Sequence, residues 1–145
     1  MTKSSSSHAG TLYLMHVLTH ATRTRLDEAL RPLELSSFQY TILSVLAHNA
    51  GLSSARLSRR FYVTPQAMGE IIQLLERKGL IERREDPSNK RAMLLSLTKV
   101  GEAACQRGDV IVSKLEQAIF EGQSKSKLDS LRSVLTTALA ALGER

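Results

Sequence analysis

The run from Thr64 to Leu97 constrains the fold most, because a sharply marked helix passes directly into a hairpin. Thr64-Pro65 is a helix start. The threonine can cap free N–H groups, and proline suits the first helical position because its missing N–H would have no partner there. Met68, Ile71, Ile72 and Leu75 then fall at i, i+3, i+4 and i+7 and define one inward face. Gly79 stops the helix. Beyond it, Ile81 to Glu85 and Ala92 to Leu97 read as two strands. They flank a six-residue loop, Asp86-Pro87-Ser88-Asn89-Lys90-Arg91, longer than hairpin packing requires and charged at its tip.

Upstream, Leu52-Ser53 opens a short helix to about Arg60, with Ser53 as its N-cap, and Phe61-Tyr62-Val63 makes a tight turn. Ser53 to Lys78 therefore has the form of a helix-turn-helix, a unit that lowers its second helix into the major groove with the N-terminal turn leading. The outward face of that helix carries Gln66, Gly69, Glu70, Gln73 and Arg77. A glutamine at Gln66 has the chemistry to read adenine, Gly69 permits close backbone approach, and Thr64 with the first-turn N–H groups suits a phosphate. Ser53, Thr64, Pro65, Gln66, Gly69 and Gln73 are thus candidate DNA contacts. The hairpin takes the place of a wing, and Lys90 and Arg91 at its tip extend toward phosphate and the minor groove.

The charge distribution points the same way. Of a net +6 in 145 residues, the segment Ser53 to Lys99 holds ten Lys and Arg against five Asp and Glu. A basic middle on a near-neutral scaffold is the footprint of a polyanion-binding module. With 42% hydrophobic and 23% charged residues, 8 Gly, 3 Pro and 1 Cys, collagen-like, low-complexity and disulfide-scaffold folds are excluded. A single cysteine makes a reducing cytoplasm the expected compartment. No apolar run approaches the roughly 18 residues of a membrane span, so no membrane partner is expected. The serine-rich residues 1–10 read as a disordered tail without a signal-peptide core.

The flanks are helical. Thr11 to Leu30 carries Leu14, Val17, Leu18, Ala21, Leu26 and Leu30 at helical spacing, and Pro32 ends it. Ser36 and Gln39 form a capping box for a second helix through Phe38, Ile42, Leu43 and Leu46. Thr98 caps a long helix to about Glu121 bearing Val100, Ala104, Ile111, Leu115, Ala118 and Ile119. The last helix spaces Leu128, Leu131, Leu135, Ala138 and Leu142 as a heptad seam. The first helix and the last two are more apolar than a small monomer needs, and a second copy of the chain is the simplest partner. Leu14, Leu18, Leu131, Leu135 and Leu142 are the candidate dimerisation residues. The expected fold is mainly α with a small β component: a winged helix-turn-helix at 35–97, and a helical dimerisation region at 11–34 and 98–145.

The stretch Leu35 to Thr98 resembles the multiple antibiotic resistance regulator (MarR) family of bacterial transcription factors. The resemblance is carried by LSSFQYTILSVL, by VTPQAMGEIIQLLERKGLIERREDPSNKRAMLLSLT and by the LT..G entry to the next helix, and with the flanking helices it spans roughly Leu12 to Leu142. It implies an obligate homodimer that binds pseudo-palindromic promoter DNA, usually as a repressor. It also implies release by a small phenolic or anionic ligand held between the dimer helices and the winged domain. Arg91 matches the wing arginine that enters the minor groove, and Asp86 the wing acid that pairs with it or its neighbours. Tyr62 stands where the family's turn usually has glycine, and Glu70 where many members have a basic residue.

The resemblance places the ligand against the first helix, making His16, His20 and Tyr40 candidate pocket residues. His16 and His20 share a helix face at i, i+4, a spacing that can hold metal, but no acid or cysteine stands beside them, so no metal or other cofactor is expected. Cys105 offers a redox-sensing alternative, although no cationic cluster surrounds it to stabilise a thiolate. A second alternative is a non-specific architectural DNA binder. Enzyme activity is not expected: the chain has no glycine-rich phosphate loop and no nucleophile elbow.

Overall fold

The computed structural model describes residues 10–143. The chain runs α1 (Thr11–Leu30), a 3-10 turn (Arg31–Leu33), α2 (Ser37–His48), β1 (Leu52–Ser53), α3 (Ser54–Arg60), α4 (Pro65–Arg77), β2 (Ile81–Asp86), β3 (Asn89–Leu97), α5 (Lys99–Ile119) and α6 (Lys125–Leu142). The fold is mostly helical with one antiparallel sheet of order β1-β3-β2. No described helix is long and apolar enough to cross a membrane. The tail read at 1–10 lies, apart from Gly10, outside the described residues.

Local sequence signals set the helix starts. Ser36 Oγ accepts from the Gln39 amide while Gln39 Oε1 accepts from the Ser36 amide, completing the capping box of α2. Ser53, Thr64, Thr98 and Ser124 each accept a backbone N–H from three residues on, at the starts of α3, α4, α5 and α6. Each such cap is worth about 1 kcal/mol.

A single core joins these elements. Met68, Ile72 and Leu75 of α4 are fully buried against Leu30, Ile42, Leu43, Leu57 and Leu95. Each such side chain contributes about 1.5–3 kcal/mol of burial. The cluster takes Leu30 from α1 and Cys105 from α5.

Three expectations are corrected. The hairpin loop is a two-residue turn, Pro87–Ser88, with Asp86 opposite Asn89, so Lys90 and Arg91 belong to β3. Asp86 is the reason: its Oδ1 accepts from Ser88 N at 2.9 Å and from Ser88 Oγ at 2.7 Å, closing the chain tightly. Leu52 and Ser53 form a strand before they start a helix, pairing with Leu95 and Leu94 of β3. The buried residues of α5 are Gly101, Cys105 and Gly108, with Ala104 and Ile111 packed beside them as expected, whereas Val100 points to solvent at 63% exposure. Close approach requires the two glycines: an added Cβ would stand 1.9 Å from the Leu80 carbonyl oxygen at Gly101, and 2.5 Å from the Tyr40 ring at Gly108.

Candidate nucleic-acid interface

The turn between α3 and α4 aims the second helix. It passes through Tyr62 at φ 54°, a left-handed conformation unusual for a bulky residue. The glycine-like geometry is therefore kept without the glycine. The Tyr62 hydroxyl donates to the Gly143 carbonyl oxygen at 3.1 Å, tying the turn to the C-terminal end of α6.

On α4, Gln66, Glu70, Gln73 and Arg77 are exposed, and Gly69 is half-exposed beside them. Thr64 and Pro65 are exposed at the helix start. Thr64 Oγ1 is occupied by the Ala67 amide, and Pro65 has no N–H, so Gln66 supplies the first-turn amide left for an anion. Ser53 is half-buried, and its Oγ accepts from the Arg56 amide, so its position serves α3 first.

The basic residues divide into two sets. Arg83 is bound to Glu76 at 2.8 Å, and Arg84 is bound to Glu82. By contrast Arg56, Arg59 and Arg60 of α3, Arg77 of α4, and Lys90 and Arg91 of β3 are exposed and have no carboxylate within ion-pair reach among the described residues. Half of the unpaired basic side chains among the described residues thus lie on the helix pair and the wing; Arg31, Lys78, Lys99, Arg107, Lys114 and Lys127 are the others. Asp86 is not paired with Arg91. Its carboxyl is held below the usual carboxylate range by the Ser88 side chain and then the Ser88 amide, while the Arg91 amide donates to Asn89 Oδ1 at 3.2 Å. Asp86 shapes the turn, and the Arg91 guanidinium is left free.

A concavity lies between α1, α2 and the turn. This cleft of about 400 Å³ is lined by Thr19, Thr22, Arg23 and Leu26 of α1, Ser37, Phe38 and Thr41 of α2, and Val63. That volume is enough for a small organic molecule. Thr19, Thr22 and Thr41 donate their hydroxyls to backbone carbonyls one turn back, and the Arg23 guanidinium, whose Nε stands 4.0 Å from Asp27 Oδ2, is the cationic donor on the wall. None of the three expected pocket residues lines it. His16 and His20 are exposed and stack edge to face at 4.6 Å, and Tyr40 is turned to Asp109 of α5. The α1 lining was legible as Thr19, Thr22, Arg23 and Leu26 at i, i+3, i+4 and i+7, a polar face that an apolar-stripe reading passes over. No group of three metal-ligating side chains occurs among the described residues.

Cys105 is buried at 2% exposure, and desolvation, then the nearby Asp109, pushes its thiol up to about 11. A thiol in that state forms little thiolate at neutral pH. Leu14 and Leu18 of α1 and Leu131, Leu135 and Leu142 of α6 are exposed, Leu142 to 73%. Leu12, Tyr13, Val17, Val134 and Leu139 extend this apolar surface.

A capped recognition helix, a wing and exposed, unpaired basic side chains on both define a winged helix-turn-helix DNA-binding regulator. The comparisons with known proteins agree. Residues 33–92 match the MarR family model. The chain is 35% identical over 108 residues to the HTH-type transcriptional repressor Rv2887 of Mycobacterium tuberculosis, covering 74% of this chain and 78% of that protein. Among solved structures, a mutant MarR of Escherichia coli complexed with operator DNA superposes with a TM-score of 0.76 at 26% identity, covering 87% of this chain and 91% of that one. CouR of Rhodococcus jostii bound to p-coumaroyl-CoA shares the fold, with a TM-score of 0.80 at 22% identity over 87% of this chain and 89% of that one. The chain belongs to the MarR family of DNA-binding transcriptional regulators.

Proposed function

We propose that the protein is a homodimeric, sequence-specific transcriptional repressor released from its operator by a small ligand. The observation that carries this reading is that α4 leaves Gln66 and Gln73 exposed while six basic side chains of α3, α4 and β3 are exposed without an ion-pair partner among the described residues. Gln66 and Gln73 read base edges, with Gly69 admitting the groove wall. Thr64, Pro65 and Ser53 position the helix start on the phosphate backbone. Lys90 and Arg91 engage the flanking phosphates and minor groove, with Asp86 holding the wing turn. Leu14, Leu18, Leu131, Leu135 and Leu142 cover one another across a two-fold axis, setting the two recognition helices about 34 Å apart, one turn of DNA.

The ligand reading attaches to the cleft between α1, α2 and Val63. Its apolar wall of Leu26, Phe38 and Val63, with Arg23 as donor, suits a small anion bearing an aromatic or similarly flat apolar body. Such a ligand would wedge the dimerisation helix from the helix-turn-helix and change the spacing of the recognition helices.

Fluorescence anisotropy against the DNA upstream of the protein's own gene, beside a scrambled duplex at about 150 mM salt, tests the first part. A preference of about 10³-fold or more is expected. Equal affinity for both duplexes would instead identify an architectural binder. Release by small aromatic carboxylates that disappears in Arg23→Ala, with DNA affinity unchanged, tests the second.

A further inference from the structure

The recognition helix carries an acid where it must meet DNA. Glu70 is exposed on the same face as Gln66 and Gln73, and no basic group lies within ion-pair reach of it among the described residues. Its neighbour is Gln66, whose Nε2 donates to Glu70 Oε1 at 3.5 Å. That contact draws the carboxylate toward the N-terminal end of α4, which leads into the groove. Gly69 adjoins it. A Cβ at Gly69 would meet nothing within 4 Å, so packing within the chain does not require the glycine, although glycine weakens a helix interior. The bare backbone there leaves room for a groove wall, and the closer the groove comes, the closer Glu70 stands to a base edge.

A carboxylate brought against DNA is repelled by phosphate and has acceptors only. It is stabilised in the major groove solely by an exocyclic amine. Two bases offer one there. Adenine sets its amine beside the N7 acceptor, which opposes a second acceptor from the protein. Cytosine presents its N4 amine beside a C–H edge. We propose that Glu70, propped by Gln66, accepts a hydrogen bond from cytosine N4. It thereby fixes a C·G pair at one symmetric position of each operator half-site. This rests on the reading of the protein as a sequence-specific DNA-binding dimer.

The test is selection of binding sites from random duplexes by the full chain and by Glu70→Gln and Glu70→Ala, with circular dichroism melting to confirm that the variants fold. The wild type should enrich cytosine at one position per half-site. Both variants should lose about tenfold or more of that discrimination while keeping their preferences elsewhere. Glu70→Gln should shift toward adenine, which a glutamine can bind through two hydrogen bonds. Identical preferences in all three proteins would overturn the inference. So would a uniform gain in affinity on every sequence, with a steeper salt dependence, since Glu70 would then only repel phosphate. If the wild type enriches no sequence at all, the proposed sequence-specific function falls together with this inference. Enrichment that ignores Glu70 removes this inference alone.

Discussion

The Tyr40 hydroxyl donates to Asp109 Oδ1 at 2.5 Å, joining α2 to α5 across 69 positions of sequence. Gly108 lies under the same ring, where an added Cβ would stand 2.5 Å from Cδ2 and 2.6 Å from Cε2. The ring is fixed at its far end by Asp109 and has little room to retreat. Gly108→Ala should therefore destabilise the protein by about 1–3 kcal/mol. The clash outweighs the roughly 1 kcal/mol that alanine gains over glycine in a helix. Urea denaturation checks this, and an additional Tyr40→Ala should remove most of the alanine's penalty. An unchanged midpoint for Gly108→Ala alone would show that the ring gives way freely.

The buried thiol of Cys105 has a pH consequence. The unfolded chain ionises it near its ordinary value of 9.0, whereas the folded chain holds the proton to about 11, chiefly through desolvation. In that window the unfolded state binds fewer protons, so stability falls as pH rises. Tyr40, also raised by desolvation and then by Asp109, steepens the decline on the alkaline side. Cys105→Ala should flatten the stability profile between pH 9 and about 11. The native thiol should react with a disulfide reagent at pH 8 far more slowly than the urea-unfolded chain, and peroxide should leave DNA affinity unchanged. Rapid stoichiometric labelling of the folded protein would reinstate the redox alternative.

Arg91 sits two residues past the start of β3, and its guanidinium is free of carboxylate partners among the described residues. Arg91→Ala should weaken DNA binding by about 1–3 kcal/mol without altering the dimer. Anisotropy titrations at several salt concentrations check both the loss and a shallower salt slope. Binding within a few-fold of wild type would place the wing off the DNA.

Leu135 faces solvent at 37% exposure in the single chain, within the apolar seam of α6. Leu135→Asp would place a charge in the proposed dimer interface and should leave a monomer that has also lost operator binding. Sedimentation equilibrium distinguishes the states. A monodisperse dimer of this variant would move the interface to another face.

Asp27 offers the acid-side counterpart. Its carboxylate accepts from the Ser37 amide at 2.6 Å and is held below the usual range by that hydrogen bond, then by the Ser37 side chain. Its contribution is present above the ordinary value of 3.8 and is lost as pH falls through the lowered one. Asp27→Ala should thus destabilise the protein at pH 7 by about 1 kcal/mol, as loss of a helix cap does, and make less difference at low pH. Denaturation at both pH values checks it, and an equal loss at each would mean that the hydrogen bond, not the charge state, carries the effect.

What the sequence determined by itself was local. Helix starts at Ser36, Ser53, Thr64 and Thr98, and the inward stripe of α4, depend on groups three to seven residues apart, and a single chain displays those spacings directly. The unusual Tyr62 was also visible as a departure, because a left-handed turn position penalises any side chain. The tertiary structure decided whatever needed a distant partner. Leu52-Ser53 becomes a strand only because β3 runs beside it, and two residues alone carry no period. The inward face of α5 is set by Leu80 and Tyr40 pressing on Gly101 and Gly108, so the glycines and not the valine mark it. Tyr40 bonds to Asp109 of α5, and the cleft between α1 and α2 is lined by Arg23 and three threonines. A cleft is the space left when several helices meet, and its walls are fixed by packing between segments remote in sequence.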